Sequence, residues 1–390
     1  MRLLKCAIVV ASLAIAQLAM AADAGTLVAA ERIKWYPAWY LRAGIWFAEL
    51  PGKLPVTNAV TLHRLTYLTR DWNDQLTEAT GLVAIPLRTS ARGIVSYQHG
   101  TTSLRREVPS KPSIDARLMA AGFGGAGYVL TAADYIGLGG STAVHPYLHA
   151  QSAANACVDL LTAAEQFMKA RAIPIPARLN LIGFSQGGHA TAALQRALES
   201  APRPRSLTAV ATVAAPLNLF DVSFPYSLNG KGKSNSVYLA YMVRAYAEIY
   251  GQPIARVIAE PYASQLPMLF DGYHDNDAIT AVLPRAPRQM FGADFLAAFD
   301  RGNLADTWLG RALLLNGVAN WPPRAPLRLY FGTRDLDVSA EDSRLAATHM
   351  AALGGNATSI DVGAYDHEDS AFYAVPAIRQ WFDELNPASE

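Results

Sequence analysis

Cysteine is nearly absent: 390 residues carry two, Cys6 and Cys157. Cys6 falls in an N-terminal segment expected to be removed, which leaves Cys157 alone and excludes an intramolecular disulfide. Cys157 shares an apolar stripe at helical spacing with Ala153, Leu160, Leu161, Ala164 and Met168, the setting of a buried helix residue rather than a nucleophile. Charge is scarce as well. Charged residues make up 17%, the formal net charge is +1, and there is neither a polybasic run nor an acidic tail. Such a chain has no electrostatic footprint for nucleic acid, and that class is set aside. No metal-ligand spacing and no phosphate loop occurs. The glycines of GFGGAG (122–127) precede an apolar strand pattern instead of following one, so they form no dinucleotide fingerprint. No metal and no cofactor is therefore expected. Past the N-terminus, no apolar run is long and charge-free enough to span a bilayer.

Apolar residues are plentiful, at 51%, enough for a large core in one or two domains. The N-terminus has the three parts of a secretory signal peptide: Arg2 and Lys5, then an apolar stretch from Cys6 to Leu18, then Ala19-Met20-Ala21 as an A-x-A cleavage site. Cleavage is expected after Ala21, giving a secreted or periplasmic protein. No lipobox precedes Cys6, and stable membrane insertion is not expected.

From residue 60 onward short apolar runs alternate with helical patterns. Strands are expected at 60–70, 77–87, 94–98, 128–133, 179–183, 207–214, 327–331 and 360–362. Helices are expected at 114–121, 151–169, 186–198 and 375–385, with Pro376 in the first turn of the last. This rhythm predicts an α/β fold with a mostly parallel sheet covered by helices on both faces. From 216 to 324 the alternation stops, and prolines punctuate apolar helical patterns. That segment reads as a helical cap inserted before the strand at 327–331, dividing the core into 22–215 and 325–390. The aromatic stretch 31–50 is expected to pack against the cap.

The segment GFSQGG (183–188) sits between a strand pattern and a helix pattern. A sharp strand-to-helix turn strains its central residue, and side chains two positions to either side would collide. Gly183 and Gly187 remove those collisions, Gly188 lets the helix start approach the sheet, and Ser185 is left exposed at the sheet's carboxyl end. The N–H groups that follow it, at a helix N-terminus, suit a developing oxyanion.

A serine hydroxyl needs a base, and the base an orienting carboxylate, in the chain order serine, acid, histidine. YFGTRDLDVS supplies the acid: Asp335, with Asp337 as competitor. Asp335 is preferred because Val338 then anchors the loop. DVGAYDHEDS supplies the base, His367, expected in a loop at the sheet edge that carries Ser185. His349 falls in a helical pattern, and His189 lies one turn past Ser185 on the same helix. The oxyanion donors expected are the N–H groups of Gln186 and of Thr101, the latter after a His99-Gly100 turn in SYQHGTT; the hydroxyls of Thr101 and Thr102 are further donors. Asp134, in TAADYIGLGGS, reads as the organiser of its loop.

Together, the GFSQGGH elbow, the QHGT turn, the ADYIGLG segment, the HPY of residues 145–147 and the late Asp and His resemble the α/β-hydrolase superfamily, and within it the secretory-lipase branch of secreted bacterial esterases and lipases with a helical lid. The resemblance covers about 61–215 and 327–385. It implies Ser185, Asp335 and His367 as triad, Thr101 and Gln186 as oxyanion donors, and a small-molecule, lipid or polymer ester as substrate; some members of that group attack plant cell-wall esters. Two alternatives stand beside the esterase. One is a serine peptidase on the same fold, with cap residues Asp271, Asp275 and Asp277 to grip an amine. The other is a non-catalytic binding protein on a hydrolase scaffold.

Overall fold

A computed structural model describes residues 23–49, 54–87, 90–202 and 205–387. The expected signal peptide lies outside them. Nine strands form one sheet: β1 (Leu27–Tyr36), β2 (Val60–Arg70), β3 (Leu76–Pro86), β4 (Ile94–Gln98), β5 (Val129–Ala133), β6 (Leu179–Phe184), β7 (Leu207–Val213), β8 (Leu327–Phe331) and β9 (Ala357–Asp361). Their order is β1-β2-β3-β5-β4-β6-β7-β8-β9. The first three pair antiparallel with one another, and β3 pairs antiparallel with β5; every later pairing is parallel. β4, β5 and most of β6 are buried throughout and carry largely apolar runs, as strands covered on both faces must.

Helices cover both faces. α1 (Ala38–Phe47), α2 (Ile114–Gly122) and the last helix, α12 (His367–Leu385), share one apolar cluster with the sheet. α3 (Ala150–Ala170), α4 (Gln186–Ser200) and α11 (Ala340–Ala352) share the other. Cys157 is buried in the second cluster, and burial pushes its thiol up to about 12, so it is an inert core residue.

Between β7 and β8 the chain leaves the sheet through a π-helical turn (Leu219–Ser223). It then builds α5 (Phe224–Asn229), α6 (Asn235–Ile249), α7 (Tyr262–Leu269), α8 (Asn276–Val282), α9 (Ala293–Asp300) and α10 (Trp308–Asn316). These helices bury a cluster of their own, including Phe224, Tyr246, Leu266, Phe291 and Leu309, onto which Tyr147 and Leu148 of the core also pack. The two threads of this segment meet at its base. Val318 N–H donates to Leu217 O at 3.0 Å. The fully buried Asp342 of α11 accepts from the N–H groups of Leu217 (3.1 Å) and Asn218 (2.8 Å).

Two expectations are corrected. In its described part, the stretch 31–50 packs on the sheet and α2 instead of on the helical segment. Its start belongs to the edge strand β1 against β2, and α1 lies against α2. Only Leu41 of α1 is buried; Trp39, Trp46 and Phe47 are exposed. The last helix begins at His367, not at 375, so Pro376 is internal to it and His367 is its first residue rather than a loop residue. Asp366 caps that helix by accepting the Asp369 N–H at 3.0 Å.

Candidate active site

The elbow is as tight as its glycines require. Ser185 joins β6 to α4 with φ 55° and ψ −122°, outside the regions that L-residues favour. A Cβ on Gly183 would stand 2.1 Å from Gly187 O, and one on Gly187 would stand 1.9 Å from Gln98 O. At Gly188 it would meet Ala215 Cβ at 2.4 Å, which is how closely α4 approaches the end of β7. Most of these obstacles are backbone atoms of neighbouring strands and turns, which cannot step aside.

The structure brings three of the expected residues into one hydrogen-bonded line. Ser185 Oγ lies 2.8 Å from His367 Nε2, and His367 Nδ1 lies 2.7 Å from Asp335 Oδ2. Asp335 follows β8, and its other oxygen accepts the N–H groups of Asp337 (2.8 Å) and Val338 (2.9 Å). That turn fixes the carboxylate, and Val338 is buried beneath it. Since Asp335 is the acceptor, His367 carries its proton on Nδ1 and offers the Nε2 lone pair to Ser185. His367 is buried, which opposes its charged form. The hydrogen bond and charge of Asp335, with the charges of Asp337 and Glu368, outweigh burial and raise its pKa above the ordinary 6.5. Asp337, the competing acid, makes no hydrogen bond to His367; burial raises its carboxyl pKa.

The Gln186 N–H, first in α4, is one of the donors that a helix start leaves without an intrahelical acceptor. Its side chain is held from behind. His145 Nδ1–H donates to Ile136 O (2.8 Å), so Nε2 accepts from Gln186 Nε2–H (2.7 Å). Burial lowers the pKa of His145 to about 4, which keeps that ring neutral. Thr101 sits after β4. Its N–H has no acceptor among the described residues, and its hydroxyl lies 2.9 Å from Tyr147 OH. Gly100 does not take a left-handed φ. An added Cβ there would stand 3.2 Å from the Phe184 ring, so the glycine provides clearance.

Asp134 is fully buried. It accepts from the Thr80 hydroxyl (2.5 Å) and the Ser110 N–H (2.8 Å), binding β3 and the loop before α2 to the end of β5. His189 points away from Ser185 to Asn316 O (2.8 Å), and His349 is exposed on α11. The acids weighed for a peptidase serve local turns. Asp271 accepts the Tyr273 N–H, Asp275 caps α8, and Asp277 lies in that helix's first turn.

A cavity of about 40 Å³ opens at Ser185, walled by Tyr147, Leu219, Phe224, Tyr238, Met242 and Val338, with Asp337 at its edge. Most of these walls come from the helical segment. The links through Tyr147 and His145 were not legible as contacts in the sequence; the HPY motif was their only trace.

A mostly parallel sheet with a strained serine elbow, and an acid and a histidine from later strand ends, defines an α/β-hydrolase. The sequence profile of the secretory lipase family matches residues 114–386, and the chain belongs to that family; it is a carboxylic ester hydrolase. No curated protein matches it significantly. Among solved structures it resembles a Legionella pneumophila protein assigned provisionally to the hydrolases (26% identity, TM-score 0.88, covering 93% of this chain and 99% of that one). It also resembles the rice cell wall degrading esterase LipA of Xanthomonas oryzae (23%, TM-score 0.81, 93% and 98%). Candida antarctica lipase A in its closed state shares the fold (16%, TM-score 0.68, 94% and 84%).

Proposed function

We propose that the chain is a secreted serine esterase or lipase that works through an acyl-enzyme, with Ser185 as nucleophile, His367 as base and Asp335 as orienting acid. The observation that carries this reading is the Ser185–His367–Asp335 line, at 2.8 and 2.7 Å, on a strained elbow. His367 Nε2 takes the Ser185 proton as Oγ attacks the ester carbonyl. The N–H groups of Gln186 and Thr101 hold the oxyanion. His367 returns the proton to the departing alcohol oxygen. Water, deprotonated by the same nitrogen, then releases the acid and restores Ser185. Asp335 keeps the ring in the tautomer this needs and balances the imidazolium.

The helical segment 216–324 acts as a cap over the site, and residues 1–21 direct secretion; N-terminal sequencing of the exported protein tests the cleavage after Ala21. The cavity at Ser185 has room for about three water-sized groups, so short acyl chains are the preferred substrates. A serine-directed phosphonate should abolish hydrolysis of p-nitrophenyl esters, and Ser185→Ala should lower kcat roughly 10⁴- to 10⁶-fold. Undiminished hydrolysis by that variant would end the proposal. An acyl series from acetate to palmitate that peaked at the long end would end the short-chain reading alone.

A further inference from the structure

A second cavity, of about 660 Å³, lies away from Ser185, between α3 and α4 of the core and the ends of α6 and α10. Its size is that of a small-molecule site. The titratable groups that line it, Arg196, His149 and Tyr250, each keep an N–H or O–H free to donate. Half-buried Arg196 gives one N–H to Gly317 O (3.3 Å) and has no ion-pair partner among the described residues. His149, only 8% exposed, caps α3: its Nδ1 accepts from the Ser152 N–H (3.3 Å), which can only donate, and so takes the Ser152 hydroxyl (2.8 Å) as a donor too. Burial lowers its pKa to about 4, so the ring is neutral and its one proton sits on Nε2, which no group of the protein accepts among the described residues. Tyr250 OH accepts from Asn316 Nδ2–H (2.7 Å), which leaves its own proton free to donate.

No Asp or Glu lines this cavity. The nearby acids of the β2–β3 turn are engaged elsewhere. Asp71 accepts the N–H groups of Asn73 and Gln75, and Asp74 pairs with Arg70. Beside the donors stand Trp72, Ile249 and Leu315. A guanidinium without a carboxylate, two further donors and an apolar flank ask for a ligand that brings two acceptor oxygens, a negative charge and a hydrocarbon body.

We propose that this cavity binds a small organic carboxylate with an apolar body, bridging core and cap. Arg196 takes the carboxylate oxygens in the paired geometry that guanidinium and carboxylate share, with Tyr250 and His149 donating alongside. The inference stands apart from the assignment of the triad.

The test is calorimetric titration of the full chain with hexanoate, with hexanamide as its neutral counterpart and with inorganic phosphate. Hexanoate should bind, and hexanamide should not. Chain whose Ser185 has been blocked by the serine-directed phosphonate, as verified by mass, should bind hexanoate as the parent does, which places the ligand away from the serine cavity. Arg196→Gln should weaken binding roughly tenfold or more, and Arg196→Lys should restore part of it. Tyr250→Phe should weaken it by roughly threefold to tenfold, and serves where Arg196→Gln proves unstable. Absent binding, equal binding of amide and acid, or unchanged affinity in both variants would overturn the proposal. Phosphate binding as tightly as hexanoate would overturn the carboxylate assignment.

Discussion

Ser185 lies in a conformation that its neighbours impose, and the strain should be measurable. A non-glycine residue held there costs on the order of 1–3 kcal/mol. Ser185→Gly and Ser185→Ala both lose the hydroxyl, but only alanine keeps the strained Cβ. In thermal unfolding the glycine variant should therefore be the more stable of the two, by about 1 kcal/mol. Equal melting points would show the elbow to be relaxed. His367 supplies a second prediction. The base must be neutral to act, and its pKa lies above 6.5. Under the proposed mechanism, kcat/KM should climb with pH and level off only past a midpoint above 6.5. Asp335→Asn removes the hydrogen-bonding charge that raises the pKa. That variant should lose roughly 10⁴-fold in kcat, with its residual activity levelling off at lower pH. A midpoint that stayed put would show that Asp335 does not tune the ring.

At the level of elements, the helical segment and the core share specific joints. Tyr147 stacks on Tyr241 of α6 with ring centroids 4.6 Å apart, and Tyr241 stacks on Phe270 at 4.5 Å. The same Tyr147 hydroxyl holds Thr101. Tyr147→Phe keeps the stack and removes that bond. It should lower kcat by roughly threefold to tenfold while leaving the melting temperature nearly unchanged. A fall in stability without a fall in kcat would make Tyr147 a packing residue only. The elements legible in the sequence were those with a clear period. Residues 94–98 and 179–183 read as buried strands because their runs are short and largely apolar, and 151–169 read as a helix from its stripe. β1 was missed because it is an edge strand with mostly exposed positions, so no alternation of burial marks it. The start of α12 was missed because its first turn, His367 to Ser370, is polar, and because Pro376 argues against a helix interior. The three side chains that meet at Ser185 could be picked out beforehand because the elbow glycines and the order serine, acid, histidine are local or ordinal facts. The Tyr147 and His145 links depend on spatial meetings that no spacing records.

Across the whole molecule, buried groups respond to acid in two opposing senses, and half-buried His63 falls with the histidines. His145, His149 and His189 each have a pKa lowered to about 4, chiefly by burial. Unfolded, each would take a proton near pH 6.5. At these sites the unfolded chain therefore binds more protons than the folded one between about pH 6.5 and 4, and their contribution to stability falls as pH falls. The full effect is on the order of 3 kcal/mol per histidine. His367 acts in the opposite sense: its raised pKa adds stability at low pH that is lost as pH rises through the folded value. Burial raises the carboxyls of Asp134, Asp337 and Asp342, and that of Asp159 to about 6, and these act in the same sense as His367. The histidine contribution is therefore read by difference: from pH 7 to pH 5 the urea midpoint of His189→Gln should fall less, or rise more, than that of the parent chain. Parallel changes in the two chains would contradict the assignment.

The helical segment departs and returns at almost one point, where Val318 meets Leu217 and Asp342 holds the entry. β7 and β8 stay neighbours across it, as if joined by a short connector. Under the proposed function, replacing the segment outboard of that junction would rebuild most walls of the serine cavity while leaving the strand pairing beneath intact.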